Sequence, residues 1–236
     1  MGGFMIAIRE KIKMDKESKL FLLLGLYVGA LYAANLIGGK LMPIGFGERG
    51  LSVSIVTFPF MFLITDIVGE VYGKKKAQKF VQVGLLALII LLIWQIFSVS
   101  VPAAAPNPWY ETTFNPAYPV IFSLSISFTI ASILAFFFGQ YVDVFTYHFI
   151  KKKQKGKKMW LRNNVSTIVG QFIDTNIWVF IAFLPNLFAG TMEAMLLFSS
   201  IVIPYWLAKV VFAFLDTPLL YLGVRWLRGK QPASKE

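Results

Sequence analysis

The chain contains no cysteine and a single histidine, His148. The first absence excludes disulfides, thiolate metal sites, iron–sulfur clusters and a cysteine nucleophile. The second leaves no means of building a histidine-rich zinc or di-iron centre. Acid is also scarce: 12 Asp and Glu stand against 23 Lys and Arg in 236 residues, a formal net charge of +11. On a soluble domain such a balance would point to nucleic acid. Soluble domains, however, carry about 25% charged residues. This chain has 15% charged against 57% hydrophobic residues and a mean hydropathy of +0.66. That shortage of polar surface excludes a soluble nucleic-acid-binding domain, and the hydrophobicity excludes disorder. The positive charge has to sit in blocks outside long apolar stretches.

Those stretches are present. A transmembrane helix needs about 20 mostly apolar residues. Six segments qualify: Leu20–Ile37, Leu51–Val71, Phe80–Val101, Tyr118–Phe138, Val165–Phe188 and Met195–Val224. The fourth continues as a polar-faced helix through Ile150. No period-2 alternation is evident, so a β-barrel is not expected. The expected fold class is all-α integral membrane with six transmembrane helices. A basic tail covers residues 1–19, the membrane domain residues 20–228, and a second tail residues 229–236. No small-residue cleavage site follows the first tail and further spans come later, so it reads as a retained cytoplasmic segment rather than a signal peptide.

The basic residues predict the orientation. They cluster in the N-terminal tail, at Lys74–Lys76 and Lys79, between Lys151 and Arg162, and beyond Arg225. These are alternate loops, and they hold 20 of the 23 cations. Lys40 and Arg49 alone fall in the opposite loops, and Lys209 falls within a span. The positive-inside rule therefore predicts both termini in the cytoplasm of a bacterial inner membrane. The Lys151–Lys158 run reads as a topology determinant beside anionic lipid, and no nucleic-acid partner is expected. Opposite it, Pro102–Pro119 is rich in proline and aromatics. Trp109 and Tyr110 there suit either an interfacial anchor or a lid over an outward-facing site.

Ionisable side chains cost at least about 2.5–3.5 kcal/mol each at the centre of a spanning helix. This chain nevertheless places several in or beside its spans, and places them periodically. Thr167, Gln171, Asp174 and Trp178 fall at offsets 0, 4, 7 and 11, one helical face, and Asn164 extends that stripe. Tyr205, Lys209, Phe212 and Asp216 repeat the offsets, as do Phe136, Gln140, Asp143 and Tyr147. Asp66 and Glu70 are i,i+4 neighbours, with Lys74 one further turn on. Lipid does not accept such faces, so they are expected to converge on an interior. A buried Lys209 needs an anion, and Asp174 and Asp216 both qualify. Glu70 and Asp143 suit either structural pairing with flanking lysines or function; His148 reads as interfacial. Carboxylates, amides and aromatics together suit a flat polar heterocycle. A carboxylate accepts two parallel hydrogen bonds from a guanine-like edge, an Asn or Gln pairs with a ring acceptor and carbonyl, and Trp or Phe stacks on the face. The same inventory serves many amine-bearing solutes.

At these stripes a resemblance emerges. Thr65-Asp66-Ile67-Val68-Gly69-Glu70-Val71-Tyr72-Gly73-Lys74 resembles the T-D-x-x-x-E-x-Y-G-[KR] segment of the queuosine-precursor transporter family, within the vitamin uptake transporter superfamily. Gln140-Tyr141-Val142-Asp143 is similar to its Q-[YF]-x-D segment. Arg162-Asn163-Asn164-Val165-Ser166-Thr167, followed by Gln171-Phe172-Ile173-Asp174-Thr175, resembles its R-N-x-x-S-T…Q-x-x-D-[ST] segment. Asn35, Lys209 and Asp216 also fit. The likeness runs from about Leu20 to Arg228. It implies a fold like the six-helix substrate-binding subunits of energy-coupling-factor importers. It also implies import of 7-deazaguanine bases, the cyano- and aminomethyl-bearing precursors of queuosine. Substrate contact is thereby carried onto Asn35, Asp66, Glu70, Gln140, Asp143, Asn164, Gln171 and Asp174, beside Trp178 and Lys209 from the stripes. Arg162 and Asn163 read as a structural signature at the helix start. A carboxylate-lined interior would favour the cationic aminomethyl base.

Two other readings compete with this one. An energy-coupling-factor substrate subunit for another vitamin-like solute suits the architecture equally. An intramembrane enzyme would have only an aspartyl route through Asp66, Asp143, Asp174 or Asp216, with no active-site signature, so no catalytic residue is expected. No cofactor and no metal are expected. The expected partners are a small-molecule substrate and the bilayer. A homo-oligomer is left open, as is the energy source: proton coupling through Asp174 or Glu70, or facilitated diffusion.

Overall fold

The computed structural model describes residues 14–43, 51–154, 158–182, 188 and 201–228. Asp15 starts the first helix. Its carboxylate accepts a hydrogen bond at 2.8 Å from the Ser18 amide and caps α1, Lys16–Ile37. Hydrogen bonding to Ser18 holds that exposed carboxyl below its ordinary value. Two short strands follow, β1 (Leu41–Met42) and β2 (Leu51–Ser52), antiparallel with Leu41 opposite Ser52. A 3₁₀ turn over Val53–Val56 leads into α2, Thr57–Tyr72.

Gly73 ends α2 with φ at +85°, a conformation that glycine adopts without strain. The chain restarts at once as α3, Lys74–Ser100. This break undoes one expectation. Lys74 begins a new helix and does not stand a turn beyond Glu70; its ammonium lies over the Phe145 ring instead, 4.9 Å from the centroid.

A π-type turn at Tyr110–Phe114 runs into α4, Asn115–Lys153. At 39 residues, α4 is nearly twice as long as a ~30 Å hydrocarbon core requires, which accommodates the expected extension past Ile150. The fold closes with α5, Met159–Ala182, and α6, Ile203–Arg228. The start of the sixth expected span, at Met195, and the end of the fifth, beyond Ala182, fall largely outside the described residues.

Among the described residues, six helices are long and apolar enough to cross a membrane. The connections α2–α3 and α4–α5, the start of α1 and the end of α6 share one end of the bundle, here called the basic end. Lys19 of α1 donates there to the Trp226 carbonyl of α6. The opposite, Pro-rich end carries 102–119. The apolar core is built around Tyr27 and Leu31 of α1, Met61 and Val68 of α2, Val81 of α3 and Leu220 of α6. Phe21, Ile93, Trp94, Leu215 and Leu222 point outward and are exposed, as lipid-facing side chains should be.

The antiparallel crossing of α4 and α5 is tight at Gly139 and Gly170. A Cβ on Gly139 would stand 2.6 Å from Asp174 Cβ, and one on Gly170 would stand 2.6 Å from Asp143 Cβ. Only glycine permits such contact, the usual device where helices associate by dispersion packing in lipid. Near the Pro-rich end, Trp109, Tyr110, Phe114, Tyr118 and Phe122 form an aromatic ladder whose last two rings stack at 4.4 Å. Trp109 is 54% exposed. That is the placement of an interfacial anchor, and none of these rings lines the cavity described next.

Candidate functional site

The polar stripes do converge, at three levels along the bundle. The level nearest the Pro-rich end is a cavity between α1, α2, α4, α5 and α6. Asn35 and Gly38 line it from α1, Ser52 and Ser54 from β2 and the turn after it, and Phe58 from α2. Phe128 and Ser132 enter from α4, Thr175 and Trp178 from α5, and Tyr205 and Lys209 from α6.

Its one charged lining residue is Lys209, which is 4% exposed. The ammonium donates to Asp174 Oδ2 at 2.8 Å and to Thr175 Oγ1 at 3.1 Å, and lies 4.3 Å from the centroid of the Phe58 ring. Of the two anions that qualified, Asp174 is therefore the partner. Asp216 stands half-buried with no ion pair among the described residues. Trp178 donates its indole N–H to Ser132 Oγ at 3.1 Å and packs on Phe128, with ring centroids 5.0 Å apart. The Ser52 amide donates to the Tyr205 hydroxyl at 2.7 Å, tying β2 to α6 across the cavity.

Asn35 is the best-placed acceptor. Its amide nitrogen is occupied by the Leu31 carbonyl at 2.9 Å, while its buried Oδ1 has no partner. Its backbone is held as well: Gln95 donates to Ser125 Oγ, which donates to the Asn35 carbonyl, both at 2.8 Å. A chain of hydrogen bonds from α3 through α4 thus fixes α1 at the cavity wall. The hydroxyls of Ser132, Thr175 and Tyr205, each already accepting a hydrogen bond, retain a proton to donate. The cavity combines one free acceptor, several donors and four aromatic faces.

The middle level is closed. Asp66 of α2, Gln140 and Asp143 of α4, and Thr167 and Gln171 of α5 are all buried. Asp66 Oδ2 and both carboxylate oxygens of Asp143 have no hydrogen-bond partner among the described residues. Thr65 donates a long hydrogen bond to Gln140 Oε1 at 3.4 Å; Gln140 Nε2 and both amide atoms of Gln171 have no partner. Neither aspartate takes part in an ion pair among the described residues.

The third level lies at the basic end. Glu70 is surrounded by Arg162 at 2.6 Å, Lys151 at 2.9 Å and Arg228 at 3.2 Å, and Tyr147 donates to it at 3.0 Å. One carboxylate thereby ties α2 to α4, α5 and α6. Arg162 lies under the Tyr147 ring, 5.4 Å from its centroid. Because α5 begins at Met159, Arg162 and Asn163 sit within its first turns and are not caps; Arg162 serves Glu70. Asn164 donates to the Trp160 carbonyl at 2.8 Å and to Thr217 Oγ1 at 2.9 Å, joining α5 to α6. His148 is half-buried against Gly69.

The ten residues singled out from sequence are thus distributed over all three levels. Asn35, Trp178 and Lys209 line the cavity, with Asp174 directly behind. Asp66, Gln140, Asp143 and Gln171 form the middle level, and Glu70 and Asn164 belong to the basic end. Sequence reasoning missed Phe58, Phe128, Ser132 and Thr175. A signal existed for one of them, Ser132: Ser125, Thr129 and Ser132 continue the α4 stripe toward the Pro-rich end at the same 4 and 3 spacing. It also missed a repeat. Gly139-Gln140-Tyr141-Val142-Asp143 and Gly170-Gln171-Phe172-Ile173-Asp174 share the pattern G-Q-[YF]-[VI]-D, and they meet head to tail at the α4–α5 crossing.

The sequence model of the family described as "Putative vitamin uptake transporter" matches residues 52–223, which include β2, α2 to α5 and most of α6. The chain belongs to this family. It is a multi-pass membrane protein of transporter type. A "Probable queuosine precursor transporter" of Bacillus subtilis is 30% identical over 78% of the chain and 77% of its own length. The "Queuosine precursor transporter" of Escherichia coli is 27% identical, and a "Probable queuosine precursor transporter" of Haemophilus influenzae 28% identical. Each of these two matches covers 54% of the chain, and 52% and 50% respectively of the relative's own length. No solved structure matches.

Proposed function

We propose that the protein imports a queuosine-precursor base, a 7-deazaguanine, across a bacterial inner membrane with both termini in the cytoplasm. The observation that carries this reading is the aromatic-walled cavity with one unpartnered amide acceptor. A guanine-like edge offers ring and exocyclic N–H donors to Asn35 Oδ1, and its carbonyl accepts from a hydroxyl or from Lys209. Trp178, Phe128 and Phe58 supply the faces for the ring. The names of the relatives support the substrate class, and the basic residues at one end support the orientation.

The geometry shifts the expected preference. An unpaired carboxylate in the cavity would favour the aminomethyl cation, but the cavity wall presents Lys209, and Asp174 Oδ2 is already engaged by it. A second cation would be brought against that ammonium, at about 4 kcal/mol for 4 Å at an effective dielectric of 20. The neutral cyano base is therefore the favoured cargo. The Glu70 cluster closes the basic end below it.

The test is uptake of labelled 7-cyano-7-deazaguanine into cells that neither synthesise it nor carry another importer. Expression should restore uptake. Trp178→Ala should weaken it by about ten- to a hundredfold, the worth of one stacked base. The unlabelled cyano base should compete better than the aminomethyl base. Absence of uptake would overturn the reading, and equal competition would overturn the preference. The family description favours one alternative, a substrate subunit for another vitamin; copurification with a shared membrane coupling subunit would single it out.

A further inference from the structure

Four carboxylates lie within the bundle, and the structure disposes of them differently. Asp174 is neutralised by Lys209, and Glu70 by three cations. Asp66 and Asp143 have no such partner among the described residues. They are 2% and 0% exposed, and the contacts on either side of them, Thr65 to Gln140 and Tyr147 to Glu70, hold α2 against α4 at their level. Two charged carboxylates in that position would repel without compensation, and an isolated buried charge is removed by taking up a proton. The surroundings are polar without supplying charge. Asp66 Oδ2 and both carboxylate oxygens of Asp143 have no hydrogen-bond partner among the described residues, and the amides of Gln140 and Gln171 are fully buried with unpartnered atoms. An unmet buried amide is costly, and here it lies within a turn of the acids on the same helix faces.

We propose that Asp66 and Asp143 form a shared proton site through which transport is coupled to a proton gradient. The inference rests on the transport reading above but concerns a different level of the bundle. The pair carries one proton between two carboxylates in one state and a second in the other, so each cycle moves one proton with the cargo. The charged and titratable groups facing it are Tyr27 from α1, Glu70 from α2, Tyr147 from α4 and Arg162 from α5. Arg162 is already committed to Glu70. The link to the cavity is the α4–α5 crossing. Gly170 abuts Asp143, Gly139 abuts Asp174, and Asp174 holds Lys209 in the cavity wall. Any sliding of α5 on α4 shifts the proton site and the cargo site together. The two inverted copies of G-Q-[YF]-[VI]-D give that crossing a local two-fold character, which suits an element with two equivalent arrangements.

The test uses purified protein in liposomes with labelled 7-cyano-7-deazaguanine. Under an acid-outside gradient of one pH unit, the wild type should concentrate the base about tenfold, the value for one proton per base. A protonophore should abolish the accumulation. Asp143→Asn and Asp66→Asn should each retain counterflow exchange, which also demonstrates correct folding, and should lose gradient-driven accumulation. Loss of exchange in both variants, accumulation that persists in them, or accumulation driven by sodium instead would overturn the proposal. Failure of the wild type to exchange the base at all would instead defeat the transport reading.

Discussion

The pocket and the basic end each contain an ion-paired carboxylate, but they balance charge differently. In the pocket one lysine meets one aspartate, and both side chains are 5% exposed. At the basic end one glutamate, 10% exposed, meets three cations, of which Lys151 is 29% and Arg228 51% exposed. Depth explains the difference. Within the bundle an unmatched charge has no solvent to relieve it, so the pair must be one to one. Near an interface, excess positive charge is relieved by water and by anionic lipid headgroups. The first arrangement is therefore brittle and the second redundant.

The largest effect is expected where the pairing is brittle. Lys209→Met strands Asp174, and thermal unfolding in detergent should show a loss of about 3–5 kcal/mol. Replacing both partners, Asp174→Asn with Lys209→Met, should recover most of that stability. If the double variant is as unstable as the single one, the one-to-one account fails.

Arg162 should come next. It is the buried cation of the redundant cluster, 1% exposed, and its loss leaves Glu70 with two partners. Arg162→Met should cost about 1.5–3 kcal/mol, the value of a hydrogen bond to a charged group. A loss equal to that of Lys209→Met would mean the cluster is not redundant.

Lys151→Ala and Arg228→Ala should each cost at most about 1 kcal/mol, and the difference from wild type should shrink in high salt. A large, salt-independent loss would place the cluster in the same class as the pocket.

The smallest effect is expected at Asp15, an exposed carboxylate at the start of α1 that accepts from the Ser18 amide. Its folded value is depressed, so its contribution is present above the ordinary carboxylate range and is lost as pH falls through the lowered value. Hydrogen exchange at Ser18 should report this: protected near neutral pH, released in acid, and unprotected at all pH in Asp15→Ala. The rest of the fold should not respond.

The sequence was most informative where a property repeats along one helix. Apolar runs located six spans, and offsets of 4, 3 and 4 put Thr167, Gln171, Asp174 and Trp178 on one inward face. The same logic failed where one residue interrupts the period. Lys74 follows Glu70 by four positions, but Gly73 lies between them and ends α2, so their proximity in sequence produced no pair. It was silent where a contact needs two helices at once. Lys209 had two candidate partners at comparable depth, and only the packing of α5 against α6 selects Asp174. Ser132 and Thr175 carry no charge and drew no notice, yet they line the cavity because the glycine crossing brings α4 and α5 together.

What the chain determined by itself is a membrane protein of six spans with its cations gathered at one end. Hydrophobicity and charge are properties of single residues, and the bilayer reads them one segment at a time. What only the tertiary structure decided is the separation of the inward acids into a paired one behind the cavity, an unpaired couple in the middle and a cation-ringed one at the basic end. A helical period shows which side of a helix turns inward. It does not show which neighbouring side chain will be met there, because that depends on how closely and at what height the helices pack.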